Sequence, residues 1–314
     1  MDNLAPWQLT LIITTSPTPS APSTELFSSI FESFRIHCPI LLKCDVVVVF
    51  DGFDRVVSDP RLKKGCVTAE QAENYSLYKE NIKEFMIELY KTDKDTITWT
   101  ESDGYAMQYG IGDYEKKFPY EDRNVVVYKA LQPFGRFGTR LTFIEPNRRM
   151  GFGLAVHAAV CSAENYVWVH QHDWILTSPI PLNALLSVMR SSESNPTAPI
   201  KYVCLPAVRT LKYSESAEVV KFPALRKLTS ELKGDYSPDE FPDTKVPLTP
   251  LFSWHDKPHI ASAEHYKARV FPSRLAMMRG DFIEDKTGQR AKAQMKEGHV
   301  SNNPIPLLSL EQQS

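Results

Sequence analysis

A run of polar side chains follows the apolar segment YVWV in the stretch NYVWVHQHDWIL, residues 165–176. The apolar segment is typical of a buried strand, and Gln171, His172 and Asp173 follow it before a tryptophan. A carboxylate at the end of a strand can hold a divalent cation, and magnesium and manganese prefer oxygen ligands. Asp173 is therefore the predicted ligand of an Mn²⁺ or Mg²⁺ ion that would neutralise a bound diphosphate.

Two histidines in the same stretch, His170 and His172, allow a second interpretation. Residues two apart in a strand share a face, so both imidazoles could chelate a metal such as zinc. Two tryptophans on that face equally suit an aromatic core with hydrogen-bonded imidazoles. The metal interpretation makes the protein a metal-dependent hydrolase, and its further ligands come from HDKPH: His255, Asp256 and His259. Pro258 makes this segment a poor helical HxxxH pair, which counts against the hydrolase.

Two further apolar runs also end in polar residues. The run LTLII is followed by Thr14, Thr15 and Ser16, and the valine-rich run CDVVVVF is followed by Asp51. Each cluster alone also fits polar residues that cap a strand where it emerges into water. Because ligands of open α/β sheets bind beyond the carboxyl ends of the strands, the three clusters together predict a single crevice.

Strands and helices alternate in the pattern that must position these residues. Continuous valine indicates a strand covered on both faces, as in a parallel sheet. Strands are predicted near residues 9–14, 44–53, 124–131, 165–171 and 200–208, and helices near 26–34, 75–89, 151–163 and 182–189. Residues 213–258 show no persistent period and predict long loops and short elements. The predicted class is α/β, with an open, mostly parallel sheet flanked by helices.

The composition of the chain limits the kinds of function that it could have. A chain of 314 residues with 42% hydrophobic content can bury a sizeable core. The 38 acidic and 36 basic residues nearly cancel, which gives no case for nucleic acid or an anionic membrane surface as the main partner. Five cysteines without CxxC spacing suit buried thiols in a reducing compartment. No segment approaches the roughly 20 apolar residues of a transmembrane span, so a cytoplasmic location is expected.

Four blocks of the chain, in one order, resemble inverting, family-two-like glycosyltransferases of the A-type fold. The first is LTLIITTSPTPSAPSTE with the following helix and VVVVFDGF, and the second is RRMGFGLAVHAAVCSAENYVWVHQHDWIL. The others are WHDKPHIASAEHY and GDFIEDKTGQ. The second block ends where the family has its metal-binding DxD motif, but Gln171 stands in place of the first aspartate. Some bacterial members carry a similar Glu-His-Asp version. Residues 92–123 and 210–248 lie outside the resemblance.

The resemblance implies a Rossmann-like, A-type fold and inverting, metal-assisted transfer of a sugar from a nucleotide diphosphate donor to an acceptor hydroxyl. The acceptor, a glycan, lipid or protein, is not specified. Residues 1–180 would bind the donor, and residues 181–314 would form the acceptor side of the same globular domain. Asp51 would contact the base or ribose. The implied donor-binding residues are Thr14, Thr15, Ser16, Asp51, Arg149, Gln171, His172, Trp254, Lys257 and His259.

The implied reaction explains the value of these residue types. Departure of the diphosphate creates negative charge, which a metal on Asp173 or a cation from Arg148, Arg149 or Lys257 would stabilise. An inverting enzyme also needs a carboxylate that takes the acceptor proton. Asp285 of the FIED segment is the candidate base and Glu284 is the alternate.

Several of these residues also have structural interpretations. Glu284 and Asp285 alone could be charges in the first turn of a helix. His259 could contact the diphosphate or a loop carbonyl, and Trp254 could stack on a sugar or pack in the core. Because the DxD motif is altered, a non-catalytic nucleotide-sugar-binding module on the same fold remains a further alternative.

Overall fold

The computed structural model describes most of the chain, and its elements alternate as the sequence predicts. The described residues are 9–91, 99–104, 125–130, 139–146, 148–163, 165–194, 199–207, 210, 212–272, 276–290, 293 and 307–310. Most of the weakly patterned stretch 92–123 lies outside them.

The structure has a central layer of strands and one separate two-stranded ribbon. They are β1 (Leu9–Thr15), β2 (Asp45–Phe50), β3 (Arg55–Val56), β4 (Cys66–Val67), β5 (Trp99–Gly104), β6 (Val125–Ala130), β7 (Leu141–Pro146), β8 (Tyr166–Gln171), β9 (Tyr202–Cys204), β10 (Gly234–Tyr236), β11 (Val246–Leu251), β12 (His259–Ser262) and β13 (Leu307–Leu310). The sequence pattern did not predict β7, which precedes Arg149 in the chain, or β12, which follows the loop with Asp256 and Lys257.

Helices flank the strands. They are α1 (Glu25–His37), α2 (Ala69–Tyr90), α3 (Phe152–Val160), α4 (Leu182–Ser192), α5 (Ala217–Lys221), α6 (Pro223–Leu232) and α7 (Ala263–His265). Short 3₁₀ helices span Pro39–Lys43, Leu62–Lys64 and Tyr213–Glu215, and π-helical turns span Tyr266–Val270 and Glu284–Gly288. None of the helices in the described part of the chain is both long and apolar enough to cross a bilayer.

Eleven strands form one sheet in the order β10-β11-β13-β9-β12-β8-β1-β2-β7-β6-β5, and β3 pairs with β4 in a separate ribbon. The neighbours β8, β1, β2 and β7 are parallel. Only β6, β11 and β12 run opposite to the other strands of this sheet. The prediction of an α/β fold with an open, mostly parallel sheet is therefore confirmed.

Both faces of the central strands are buried, which explains their continuous apolar sequence. Along β1, Leu11 and Ile13 pack with α1, α2 and α4, whereas Ile12 packs on the opposite face with α3. In β8, Trp168 and Val169 likewise lie in the two different clusters. This alternation is the one expected from a strand period of two. The short, apolar helix α3 thus covers one face, and the three longer helices cover the other.

The chain order reverses beside β1. Strands β2 and β7 extend the sheet on one side of β1, while β8 pairs on its other side. Such a switch point leaves a crevice beyond the carboxyl ends of the strands, where ligands of open α/β folds bind. Thr14 of β1 is the register partner of Gln171 of β8. The polar ends of β1 and β8 therefore meet at the switch point.

Candidate functional site

The end of β1 lies at the switch point of the sheet, and its two threonines are held inside the protein. The Thr15 hydroxyl lies 3.0 Å from the Tyr78 hydroxyl of α2. The Thr14 hydroxyl donates to the carbonyl oxygen of His170 at 3.4 Å, and both threonines are buried. Ser16, next along the chain, is partly exposed. Of the three predicted donor contacts on β1, Ser16 therefore has the most accessible side chain.

Asp51 joins the end of β2 to the start of α3. Its carboxylate oxygens accept the N–H groups of Met150 at 2.5 Å and Gly151 at 2.9 Å. The Tyr75 hydroxyl donates to its carbonyl oxygen at 2.7 Å. Burial raises the pKa of Asp51 to about 6, although the two N–H groups and the Arg149 charge oppose that rise. The sequence suggested only a donor contact for Asp51, and the structure adds this link between strand and helix.

Arg149 is held between two glycines whose φ angles are positive. A Cβ atom on Gly65 (φ +69°) would lie 2.7 Å from its Cδ atom, and one on Gly280 (φ +78°) would lie 2.6 Å from its Nη1 atom. Among the described residues, no carboxylate lies within ion-pair distance of this guanidinium. Arg149 is therefore a positioned cation beside the end of β2 and Asp51.

Residues 279–281 are clamped onto the start of α3. The Gly280 N–H donates to the Met150 carbonyl oxygen at 2.8 Å, and the Gly153 N–H donates to that of Asp281 at 3.2 Å. Arg279 donates to the carbonyl oxygen of Arg149 at 2.9 Å and forms an ion pair with Asp54. The loop after β2, the start of α3 and the approach to the FIED segment are thereby linked.

Three segments that are far apart in sequence meet at the end of β8. Gln171 donates from Nε2 to the carbonyl oxygen of Asp256 at 3.2 Å. The Glu284 N–H in turn donates to Asp256 Oδ2 at 3.1 Å. His255 Nδ1 lies 3.6 Å from Glu284 Oε1. The HQHD, WHDKPH and FIED segments therefore form one cluster, defined by Gln171, His255, Asp256 and Glu284.

Asp256 is the buried acid of this cluster. Its side chain is 6% exposed, and burial raises its pKa to about 7, with the Glu284 charge acting in the same direction. Backbone N–H groups of Glu284 and Ile283 oppose the rise. Asp256 Oδ1 is buried and has no hydrogen-bond partner among the described residues. The sequence suggested Asp256 only as a zinc ligand, because its burial depends on distant residues.

The two acids of the FIED segment have different surroundings. The Glu284 side chain is 32% exposed and faces His255 and Asp256, whereas Asp285 is exposed. Asp285 was the candidate base, and Glu284 was the alternate. The geometry brings Glu284, rather than Asp285, into the cluster at the end of β8.

Two other predicted donor contacts, Trp254 and His259, are core residues in this structure. The His259 nitrogens lie 2.6 Å from the Lys257 carbonyl oxygen and 2.5 Å from the Tyr266 hydroxyl, and burial lowers its pKa to about 4. Trp254 is 1% exposed, and its ring centroid lies 4.2 Å from that of Tyr202. These positions match a hydrogen bond from His259 to a loop carbonyl group and packing of Trp254 in the core, the structural interpretations of the two residues. Together they shape the loop that carries Asp256 and Lys257.

Lys257 and Trp174 connect this loop to the turn after β8. The Lys257 Nζ atom lies 4.5 Å from the centroid of the Trp174 ring, a cation–π distance. Asp173, next to Trp174 in sequence, is exposed. A cation and a carboxylate therefore both lie beside the turn after β8.

His170 has no nitrogen left for a metal. Its Nδ1 accepts from the Trp168 indole N–H at 3.2 Å, so its Nε2 carries the proton and donates to the Trp174 carbonyl oxygen at 2.8 Å. Burial lowers its pKa to about 4, and its ring lies against Phe34 with 4.9 Å between centroids. This arrangement matches the aromatic-core interpretation and not chelation by both histidines.

Asp173 is the residue predicted to hold a divalent cation. In the described part of the chain, no group of three or more His, Cys, Asp or Glu side chains could hold a metal ion. Beside Asp173, burial lowers the pKa of His172, whose Nδ1 is buried without a hydrogen-bond partner in the described residues. Mg²⁺ commonly uses one or two carboxylates together with substrate phosphates and water. Asp173 fits a cation of that kind, one delivered with a diphosphate.

Comparison with models of known protein families gave no match to this chain. Comparison with curated protein sequences gave no match either.

Proposed function

We propose that the protein is a glycosyltransferase that moves a sugar from a nucleotide diphosphate donor to an acceptor hydroxyl with inversion. The observation that carries the proposal is the contact chain from Gln171 through Asp256 to Glu284. It joins three of the four blocks that resemble this enzyme class, at the switch point where an α/β sheet binds its ligand.

The charges around the crevice support a diphosphate donor. Arg149 lies beside the end of β2, and Lys257 lies beside the turn after β8. Asp173 at the same turn would hold a divalent cation, which would supply Lewis-acid stabilisation of the leaving diphosphate. Positive charge at this edge is the property that the reaction requires, because negative charge develops on the diphosphate as it leaves.

The acids of the FIED segment supply the proton acceptor. The oxygen of the acceptor hydroxyl forms a bond to the anomeric carbon while the bond from that carbon to the diphosphate oxygen breaks. The bonding electrons leave with the diphosphate, and a carboxylate of Glu284 or Asp285 takes the hydroxyl proton. Glu284 is held by Asp256 and lies beside His255, so its position is better defined than that of exposed Asp285.

Ligand-induced thermal shift tests the donor half of the proposal. The protein would be melted with uridine, guanosine, cytidine and thymidine diphosphate sugars, with and without Mn²⁺. A ligand that binds the native state raises the melting temperature. We expect one nucleotide series to do so, and Lys257→Met to reduce the effect. An unchanged melting temperature with the whole panel would contradict the proposal.

A turnover assay tests the transfer half. Release of nucleoside diphosphate from the binding donor would be followed with glycan, lipid and protein fractions as acceptors. We expect release that depends on one acceptor class. Donor binding without release in any fraction would instead support the non-catalytic sugar-nucleotide-binding module. Tightly bound stoichiometric zinc would support the hydrolase.

A further inference from the structure

Asp256 and Glu284 hold each other through reciprocal contacts between side chain and backbone. Asp256 Oδ2 accepts the Glu284 N–H at 3.1 Å, and Glu284 Oε2 lies 3.5 Å from the backbone nitrogen of Asp256. The remaining oxygen, Asp256 Oδ1, is buried without a hydrogen-bond partner in the part of the chain that the structure describes. A buried polar atom of this kind requires a physical explanation, because it costs free energy unless it is neutral or paired.

A carboxyl group that is buried near another acid ionises less readily than one exposed to water. Asp256 is 6% exposed, whereas the Glu284 side chain is 32% exposed. Burial raises the pKa of Asp256 to about 7, and the charges of Glu284 and Asp285 add to the effect. Asp256 is therefore the member of the pair whose ionised form the fold disfavours.

The surroundings offer Asp256 little compensating charge. The titratable groups that interact electrostatically with it come from the FIED turn, β9 and the turn after α7: Glu284, Asp285, Tyr202, Cys204 and Tyr266. Its neighbours in sequence, His255 and Lys257, are titratable as well. The ammonium group of Lys257 lies over the Trp174 ring, 4.5 Å from its centroid. The tyrosine and cysteine side chains are neutral near pH 7, because burial raises their pKa values.

We propose that Asp256 is a positioning residue that fixes the Glu284 backbone and stays uncharged while Glu284 is ionised, so that Glu284 is the proton acceptor. This inference rests on the proposed function, since it names which acid serves the transfer reaction. When Asp256 ionises, two negative charges face each other inside the turn. The turn then loses its geometry, and activity falls on the alkaline side.

The pH dependence of stability tests the charge state of Asp256 without any substrate. The pKa of Asp256 is about 7 in the folded state, above its ordinary value of 3.8. Because the folded state then binds the proton more tightly than the unfolded state, Asp256 contributes stability that is fully present below about pH 4 and is lost as the pH rises through 7. The melting temperature of wild type minus that of Asp256→Asn should therefore fall between pH 4 and 7 and then level off. Asp51, whose raised pKa acts with the same sign, is present in both proteins and cancels in the difference.

Two further variants make the stability test decisive. Asp256→Asn keeps the shape of the neutral acid, whereas Asp256→Ala removes the acceptor of the Glu284 N–H and should melt lower at every pH. Exposed Asp239→Asn is the matched control and should give a constant difference from wild type. A constant difference for Asp256→Asn as well would overturn the proposal, since it would show that Asp256 carries the same charge in the folded and unfolded states.

A pH–rate profile tests the link to Glu284. With the donor found by thermal shift, Asp256→Asn should keep the acid limb of kcat and lose the alkaline limb, while KM for the donor stays within about twofold. An alkaline limb that persists unchanged in Asp256→Asn would also overturn the proposal. If wild type binds and turns over no nucleotide sugar, the proposed function fails, and the melting data still decide whether Asp256 is neutral.

Discussion

Gly151 and Gly280 lie in direct backbone contact: a Cβ atom added to Gly151 would lie 2.6 Å from the Cα atom of Gly280. Both residues have positive φ angles, +83° and +78°. The same contact lets the Gly280 N–H reach the Met150 carbonyl oxygen at 2.8 Å. It thus sets where the segment leading to Glu284 rests on the start of α3, beside the carboxylate of Asp51.

Gly151→Ala should destabilise the protein by about 1–3 kcal/mol. A non-glycine residue at positive φ is strained, and the new methyl group would overlap backbone atoms that cannot rotate away. Gly234→Ala is the control, because no atom lies within 4 Å of its added Cβ atom. Urea unfolding should show a change of about 0.5 kcal/mol or less for the control. Equal stability of Gly151→Ala and wild type would contradict the close contact.

Asp51→Ala should lower the free energy of unfolding by about 1–3 kcal/mol, since the buried N–H groups of Met150 and Gly151 would lose their acceptor. Exposed Asp59→Ala should change it little. Nucleotide titration of the folded variant separates the two roles of Asp51. If the variant binds nucleotide as tightly as wild type, Asp51 only supports the structure and does not contact the donor. A lower nucleotide affinity would support the predicted donor contact as well.

Asp173→Asn should reduce the donor-induced thermal shift in Mn²⁺ while leaving the melting temperature of the free protein nearly unchanged. The reason is that Asp173 is exposed, and its charge is proposed to serve the cation rather than the fold. The shift would be measured with and without a chelator, with Asp239→Asn as the exposed control. If Asp173→Asn shows the same Mn²⁺-dependent thermal shift as wild type, Asp173 is not a ligand of the cation.

Glu284→Gln should lower the transfer rate by about 10²- to 10⁴-fold while donor binding is retained, as expected for the loss of a general base. Asp285→Asn should cost less, because Asp285 is exposed and Glu284 lies in the cluster with Asp256. Single-turnover rates of the two variants decide between them. The opposite order of effects would return the base to Asp285, the residue favoured by its position in the FIED segment.

His170→Ala should destabilise the protein by several kcal/mol, because it leaves a cavity in the core and the Trp168 indole N–H without an acceptor. Purified and dialysed wild type should carry no stoichiometric zinc. Elemental analysis and thermal melting of both proteins provide the measurement. Stoichiometric zinc that is present in wild type and absent from His170→Ala would support the alternative function, a metal-dependent hydrolase.

The fold class could be predicted from sequence because its signals are local. Continuous valine in β2 reports a strand buried on two faces, and the helical spacing of Phe27, Ile30, Phe31 and Phe34 reports the apolar face of α1. These patterns depend only on backbone period and side-chain type. The polar ends of β1 and β8 likewise predicted the crevice edge, since parallel strands place their carboxyl ends together.

The partners of individual polar groups depended on the tertiary structure. Asp51 meets Met150, 99 positions away, Gln171 meets Asp256, 85 positions away, and Asp256 meets Glu284, 28 positions away. No local period encodes such pairs, because they form only when loops from different strands close over the same sheet edge. The burial of a side chain also depends on how these loops close over the sheet edge. His259 and Trp254 are buried in the core, although their segment resembles a donor-binding motif. Sequence thus determined which elements form and which edge is polar, whereas packing decided which acids are buried, which are exposed and which groups they contact.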